Sequence, residues 1–229
     1  MHTRELTIAV PPGAATTALV YGAEDHPVGA ALILGHGAGA GQQSPWIVTI
    51  ARALGALGLD IITFNFLYTE QRRRLPDRRP LLESCYRAVI DASRQEVESA
   101  RRCLMIGGKS MGGRIATQVA AADPDLELHG LVLLGYPLHP PGRPAERRDA
   151  HLPAVGRPML FVQGSRDAFG TPSELAPVLA PLTPPATLHV VEGGDHSFRV
   201  STRDPIRQAA VYDDVQHTII EWSRQLVSG

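Results

Sequence analysis

Glycines stand two residues before and two residues after Ser110 in Gly108-Lys109-Ser110-Met111-Gly112, and Gly107 and Gly113 lie just outside them. A short apolar run ending near Ile106 precedes this pentapeptide, and a helical pattern from Arg114 to Ala122 follows it. In a strand–turn–helix setting, G-x-S-x-G forces the middle residue into a strained turn that lifts its side chain above the sheet. The glycines remove the Cβ atoms that would collide with it. The serine also stands at a helix N-terminus, where backbone N–H groups and the macrodipole favour developing negative charge. The arrangement suits nucleophilic attack by the Ser110 hydroxyl on a carbonyl carbon.

A serine hydroxyl needs a base, and the base needs an orienting acid. Of the nine histidines, His196 lies in Gly193-Gly194-Asp195-His196-Ser197-Phe198, after the last apolar run and before the final helical pattern. That position puts it over the same sheet edge as Ser110. His36 belongs to a glycine-rich loop and reads as structural. His129 and His189 fall at strand starts, at the opposite end, and His2, His26, His139, His151 and His217 read as solvated surface. Asp167 follows a strand through Gln163-Gly164-Ser165-Arg166 and is the expected acid, with the adjacent Asp195 as its rival. Lys109 raises a Ser-Lys dyad, but neighbouring side chains in a tight turn diverge. Two N–H donors must meet the oxyanion of a tetrahedral intermediate. Met111 supplies one. The loop His36-Gly37-Ala38-Gly39-Ala40 supplies the other, from Ala38 or alternatively Gly39.

Two phosphate-binding patterns fail on spacing. A P-loop needs Gly six residues before its Lys, where Cys103 stands. Gly35-His36-Gly37-Ala38-Gly39-Ala40 fits a dinucleotide fingerprint, but the next strand ends at Phe64-Asn65 without the required acid, and the helix starts late, at Pro45.

The elements that must carry these residues alternate between short apolar runs and amphipathic stretches, the pattern of βα units on a mainly parallel sheet. Leu6–Val10 and Thr17–Tyr21 read as a hairpin across Pro11-Pro12-Gly13, and Ala30–Leu34 as a strand buried on both faces. Ser44-Pro45 offers an N-cap and first-turn proline for a helix ending at Gly58. Asp60–Phe64, Cys103–Ile106, Leu131–Leu134, Met159–Val162 and Leu188–Val191 are further strands. Leu81–Ala100 reads as one long helix, and Pro205–Val227 as a closing helix with Val211, Val215, Ile219, Trp222 and Leu226 on one stripe. Residues 137–156, rich in Pro and Arg, read as the least ordered stretch.

A chain of 229 residues with 44% apolar and 20% charged residues can build its own core without metal or disulfide. The formal charge of −1 supplies no field for nucleic acid or anionic membrane. The expected partner is a small-molecule substrate. Two cysteines, Cys85 and Cys103, make no disulfide scaffold or cysteine-based zinc site, and no cofactor is implied. The start, Met1-His2-Thr3-Arg4-Glu5, lacks the apolar region of a secretion signal, and no apolar run approaches a membrane span. The expectation is a single cytoplasmic domain over residues 1–229.

The HGAGA loop, Asn65-Phe66-Leu67-Tyr68, GKSMGGR, GSRD and GGDHSF together resemble an α/β hydrolase of the small dienelactone-hydrolase-like group. Within that group the chain resembles the branch of bacterial proteins related to testis-expressed and NSL-complex-subunit proteins. The matching stretches run from Leu32 to Phe198, and Ser110…Asp167…His196 follows the chain order of that superfamily. The resemblance implies an α/β-hydrolase fold with a mainly parallel central sheet, helices on both faces and little or no lid. It also implies a serine hydrolase of carboxylesterase type acting on short or small ester-like substrates. Dienelactone hydrolases carry Cys at the nucleophile position, where this chain has Ser110. Some relatives serve as complex subunits, so the alternative is a non-catalytic interaction module with a relic triad. Tyr68 and the run Arg72, Arg73, Arg74, Arg78 and Arg79 leave a strand near the site and read as a solvated loop, with carboxylate recognition as the other possibility.

Overall fold

The computed structural model describes residues 3–24, 26–201 and 204–228. Two N-terminal strands, β1 (Thr3–Val10) and β2 (Ala14–Tyr21), form the expected antiparallel hairpin. They are followed by β3 (Ala31–Gly35), α1 (Pro45–Ala56), β4 (Asp60–Phe64), a single turn α2 (Leu67–Glu70) and α3 (Arg79–Glu96). Then come α4 (Glu98–Arg102), β5 (Leu104–Lys109), α5 (Met111–Ala121), β6 (Gly130–Leu134), β7 (Met159–Gly164), α6 (Pro172–Leu179), β8 (Thr187–Val191) and α7 (Pro205–Ser228).

The eight strands form one sheet in the order β1-β2-β4-β3-β5-β6-β7-β8. β2 pairs antiparallel with β1 and β4, and every later pairing is parallel. β3, β5 and β6 are buried along their whole length, which their unbroken apolar runs require. One face packs on α1 and α7 through residues such as Ile47, Leu54, Ile219 and Trp222. The other packs on α3, α5 and α6 through Val89, Ile90, Ile115, Val119 and Leu175. This is the α/β-hydrolase fold.

Strand order reverses between β3 and β5, and ligands of open α/β sheets sit at such a switch point. Gly35 pairs with Gly108 there, so the loop after β3 and the turn after β5 emerge side by side. Tyr86 of α3 pins the pair from below. Its hydroxyl lies 2.6 Å from Gly107 O and 3.1 Å from Ile33 O, and it accepts from Gly107 N–H at 3.0 Å.

Several elements depart from the sequence reading. The expected helix Leu81–Ala100 breaks at Val97, whose φ of −122° and ψ of 118° are extended; its side chain is buried, and a second short helix starts at Glu98. Ser44 precedes α1 in extended conformation but makes no side-chain cap bond. Helix α6 is absent from the sequence reading; it starts with a capping box between Thr171 and Glu174. Residues 137–156 contain a single 3-10 turn, Leu152–Ala154, yet they are anchored: Leu138, Leu152 and Val155 are buried, and Tyr136 Oη donates to Arg148 O at 2.8 Å.

Candidate active site

Ser110 occupies the tight turn between β5 and α5 with φ 51° and ψ −112°, a conformation costly for any residue but glycine. The turn is held from both sides. Ser110 N–H donates to Leu134 O at 3.0 Å, and Arg114 N–H donates back to Ser110 O at 3.1 Å as the first helical bond. The backbone of β3 presses directly on the start of α5. A Cβ added at Gly112 would lie 2.2 Å from Gly35 O, so no larger residue fits there. Met111 opens α5, where its N–H has no intrahelical acceptor.

The loop after β3 approaches the same turn: a Cβ on Gly37 would lie 3.7 Å from Ser110 Cβ. His36 orders this loop. Its ring is fully buried, Nδ1–H donates to Gly37 O at 2.8 Å, and Nε2 accepts from Phe66 N–H at 3.2 Å. Burial pushes its pKa down, consistent with that neutral tautomer. His36 is therefore structural, as read from sequence, and Ala38 and Gly39 beyond it are exposed.

His196 and Asp167 meet at 2.7 Å, Nδ1 to Oδ2. Asp167 is 1% exposed and fully engaged. Its Oδ2 also accepts from Gln163 Nε2 at 2.8 Å, and its Oδ1 accepts from Phe169 N–H at 2.8 Å. Asp195 does other work: its Oδ1 accepts from Ser197 N–H at 2.8 Å and Arg199 N–H at 2.9 Å, closing the turn that carries His196. That turn is fastened to α1 and α7, with Trp46 Nε1–H donating to Ser197 O at 3.3 Å and Gln208 Nε2 to Phe198 O at 3.0 Å. The Phe169 ring lies against the imidazole, tilted by 30° with centroids 4.2 Å apart. Beneath the imidazole, Gly135 (φ 63°) leaves no room for a side chain, since its Cβ would fall 2.9 Å from His196 O.

Ser110 and His196 line one cavity of about 710 Å³, together with Ala38, Trp46, Met111 and Phe169. Among the described residues no hydrogen bond joins Ser110 Oγ to His196. Such bonds are often long before substrate arrives and tighten in the reacting complex.

Lys109, the chain's single lysine, is more than an elbow neighbour. It is buried, its ammonium donates to His196 O, and it lies 5.7 Å and 5.8 Å from the ring centroids of Trp46 and Phe198. It points away from a Ser-Lys dyad and into the histidine turn. Gln163 was likewise invisible in the apolar run of β7, although a glutamine inside a fully buried strand is itself a signal. His139 and His151, read from sequence as solvated, are not. His139 is 5% exposed and contacts Glu174 at 3.3 Å, and His151 Nε2 lies 2.8 Å from Thr117 Oγ1. His189 lies mid-strand in β8, 3.0 Å from Asp214, not at its start, while His129 lies at the far end of the sheet as expected. His2 lies outside the described residues.

Burial lowers the Lys109 pKa to about 8. Between pH 8 and the ordinary lysine value of about 10.4, the unfolded chain holds a proton that the native state has released, so this group makes stability rise with pH there. Lys109→Met removes that slope. Denaturant titrations should show the wild type gaining on Lys109→Met as pH rises from 8 to 10, and no change in their difference below pH 7.

The profile of the alpha/beta hydrolase domain family matches residues 28–224 of this chain. The chain belongs to the alpha/beta hydrolase family. Solved structures agree on the fold. An alpha-beta serine hydrolase homologue from Coxiella burnetii is 19% identical over 96% of this chain and 97% of its own, with a TM-score of 0.73. A serine hydrolase without lid from Xanthomonas campestris is 22% identical over 96% and 95%, TM-score 0.72. Dienelactone hydrolase from Anabaena variabilis is 20% identical over 94% and 95%, TM-score 0.73. In this hydrolase fold the longest irregular connection, residues 135–158, packs along α5 through Thr117 and His151, and none of the described segments forms a lid. No helix among the described residues is long and apolar enough to cross a membrane.

Proposed function

We propose that the protein is a serine hydrolase of small ester-like substrates, working through an acyl-enzyme on Ser110. The observation that carries this reading is the strained Ser110 in one cavity with the Asp167–His196 pair. Ser110 Oγ attacks the carbonyl carbon as His196 Nε2 takes its proton. Met111 and Ala38 N–H groups hold the resulting oxyanion, each worth about 3–4 kcal/mol in the transition state. Collapse expels the alcohol, which takes the proton from His196, and water repeats the sequence to release the acid. Asp167 holds the imidazole in the tautomer that leaves Nε2 free to accept.

The lidless neighbour from Xanthomonas campestris supports a small substrate, as does the absence of a covering segment among the described residues. Without an enclosed acyl tunnel, each added CH₂ stays in water instead of gaining the roughly 0.8 kcal/mol that its burial would give. With p-nitrophenyl esters from acetate to palmitate, kcat/KM should stop rising beyond about four to six carbons. A steady increase to palmitate would contradict the reading.

A further inference from the structure

Four arginines line the cavity that holds Ser110, and three of them, Arg114, Arg148 and Arg79, are close enough to repel one another. Arg114 lies one turn along α5 from Ser110, Arg148 comes from the 135–158 connection, and Arg79 opens α3. Of the arginine run read from sequence as a solvated loop, Arg79 alone lines this cavity, and Tyr68 is buried. Like charges do not gather without reason, and here the nearby carboxylates are already engaged. Glu83 pairs with Arg79 at 2.5 Å, Asp149 with Arg147 at 2.8 Å, and Asp77 takes Arg73 and the Tyr68 N–H. Among the described residues, Arg114 and Arg148 have no side-chain hydrogen bond or ion pair, and Arg114 Nε is buried without an acceptor. Burial, followed by repulsion from Arg148, draws Arg114 below the ordinary guanidinium range. His151 stays neutral and adds no further positive charge, because burial and the charges of Arg79 and Arg114 push its pKa down to about 4.

A buried guanidinium N–H such as Arg114 Nε–H calls for an acceptor, and a planar fork matches an oxyanion. We propose that Arg114 and Arg148, with Arg79 at the rim, bind an oxyanion group, carboxylate or phosphate, carried by the substrate whose ester Ser110 attacks. The proposal rests on the hydrolase reading above. Side chains one helical turn apart start about 5–6 Å from each other, so the anionic group lies a short chain away from the scissile carbonyl.

The test compares p-nitrophenyl esters of six-carbon acyl chains ending in a carboxylate or a phosphate with their methyl-capped neutral counterparts. The quantity read is the ratio of anionic to neutral kcat/KM, taken within each variant so that damage common to both substrates cancels. Wild type should favour an anionic ester by about tenfold or more, since a charge-assisted bond supplies at least that factor. The preferred member of the carboxylate and phosphate pair identifies the group. Arg148→Gln and Arg114→Gln should each bring the ratio toward one. Arg148 lies in a loop, so its variant does not depend on the integrity of α5. If wild type hydrolyses neutral esters without preferring either anion, the arginine site is wrong and the hydrolase reading survives. If no ester turns over, adipate and inorganic phosphate are titrated into the wild type by calorimetry. Saturable binding weakened by Arg148→Gln keeps the anion site and removes the hydrolase reading; no binding removes both.

Discussion

Ser110→Ala is expected to lower kcat on a short aryl ester by about a million-fold, the loss found when a serine nucleophile of this kind is removed. The variant should remain folded. Ser110 Oγ makes no hydrogen bond among the described residues, and the positive φ of 51° is set by the backbone bonds to Leu134 O and from Arg114 N–H, which alanine keeps. Its stability should stay within about 0.5 kcal/mol of wild type. Some rate above the uncatalysed reaction should persist, because the proposed oxyanion donors, the Met111 and Ala38 N–H groups, remain. Steady-state rates and a urea titration on the same preparation check both halves.

The second large effect is at Asp167. Its Oδ1 accepts a backbone N–H from Phe169, while its Oδ2 accepts from both Gln163 and His196. In Asp167→Asn, the amide oxygen must stay on the Phe169 N–H. The new NH₂ then faces His196 Nδ1, which is forced to accept, and the imidazole proton moves to Nε2. An Nε2–H cannot take the serine proton. The expected cost is about 10⁴-fold in kcat, with the fold preserved. The Gln163 amide faces the same NH₂, so a modest loss of stability accompanies the change. Rates on p-nitrophenyl acetate for Asp167→Asn against wild type decide it. Near-full activity would remove Asp167 from the role, and an equal loss in Asp195→Asn would implicate the rival.

Much of the candidate site was legible in the sequence because each of its expected residues lies beyond the C-terminal end of a strand. Apolar runs predict parallel strands, and residues just beyond their C-terminal ends share one sheet edge, so Ser110, Asp167 and His196 could be grouped before any geometry was known. The pairing of Asp167 with His196 also follows, since Asp195 is too close in sequence to turn back on its neighbour. What remained hidden depends on contacts between distant segments. Arg114 and Arg148 lie 34 positions apart and share no motif. Lys109 looked like a diverging neighbour of Ser110, and its reach to His196 O depends on how the last turn folds over β5. The break at Val97 escaped because helical periodicity continues through it, while tertiary burial of one β-branched side chain overrides the local pattern.

The central claim, that Ser110 is an activated nucleophile, is tested most directly by reaction with a fluorophosphonate probe and mass mapping of the adduct. The account predicts a single adduct on the peptide containing Ser110 in the folded wild type, none in Ser110→Ala, and slow labelling in His196→Ala. Properly folded wild type that takes no label, or takes it on a residue other than Ser110, would contradict the account and favour a non-catalytic role for the fold.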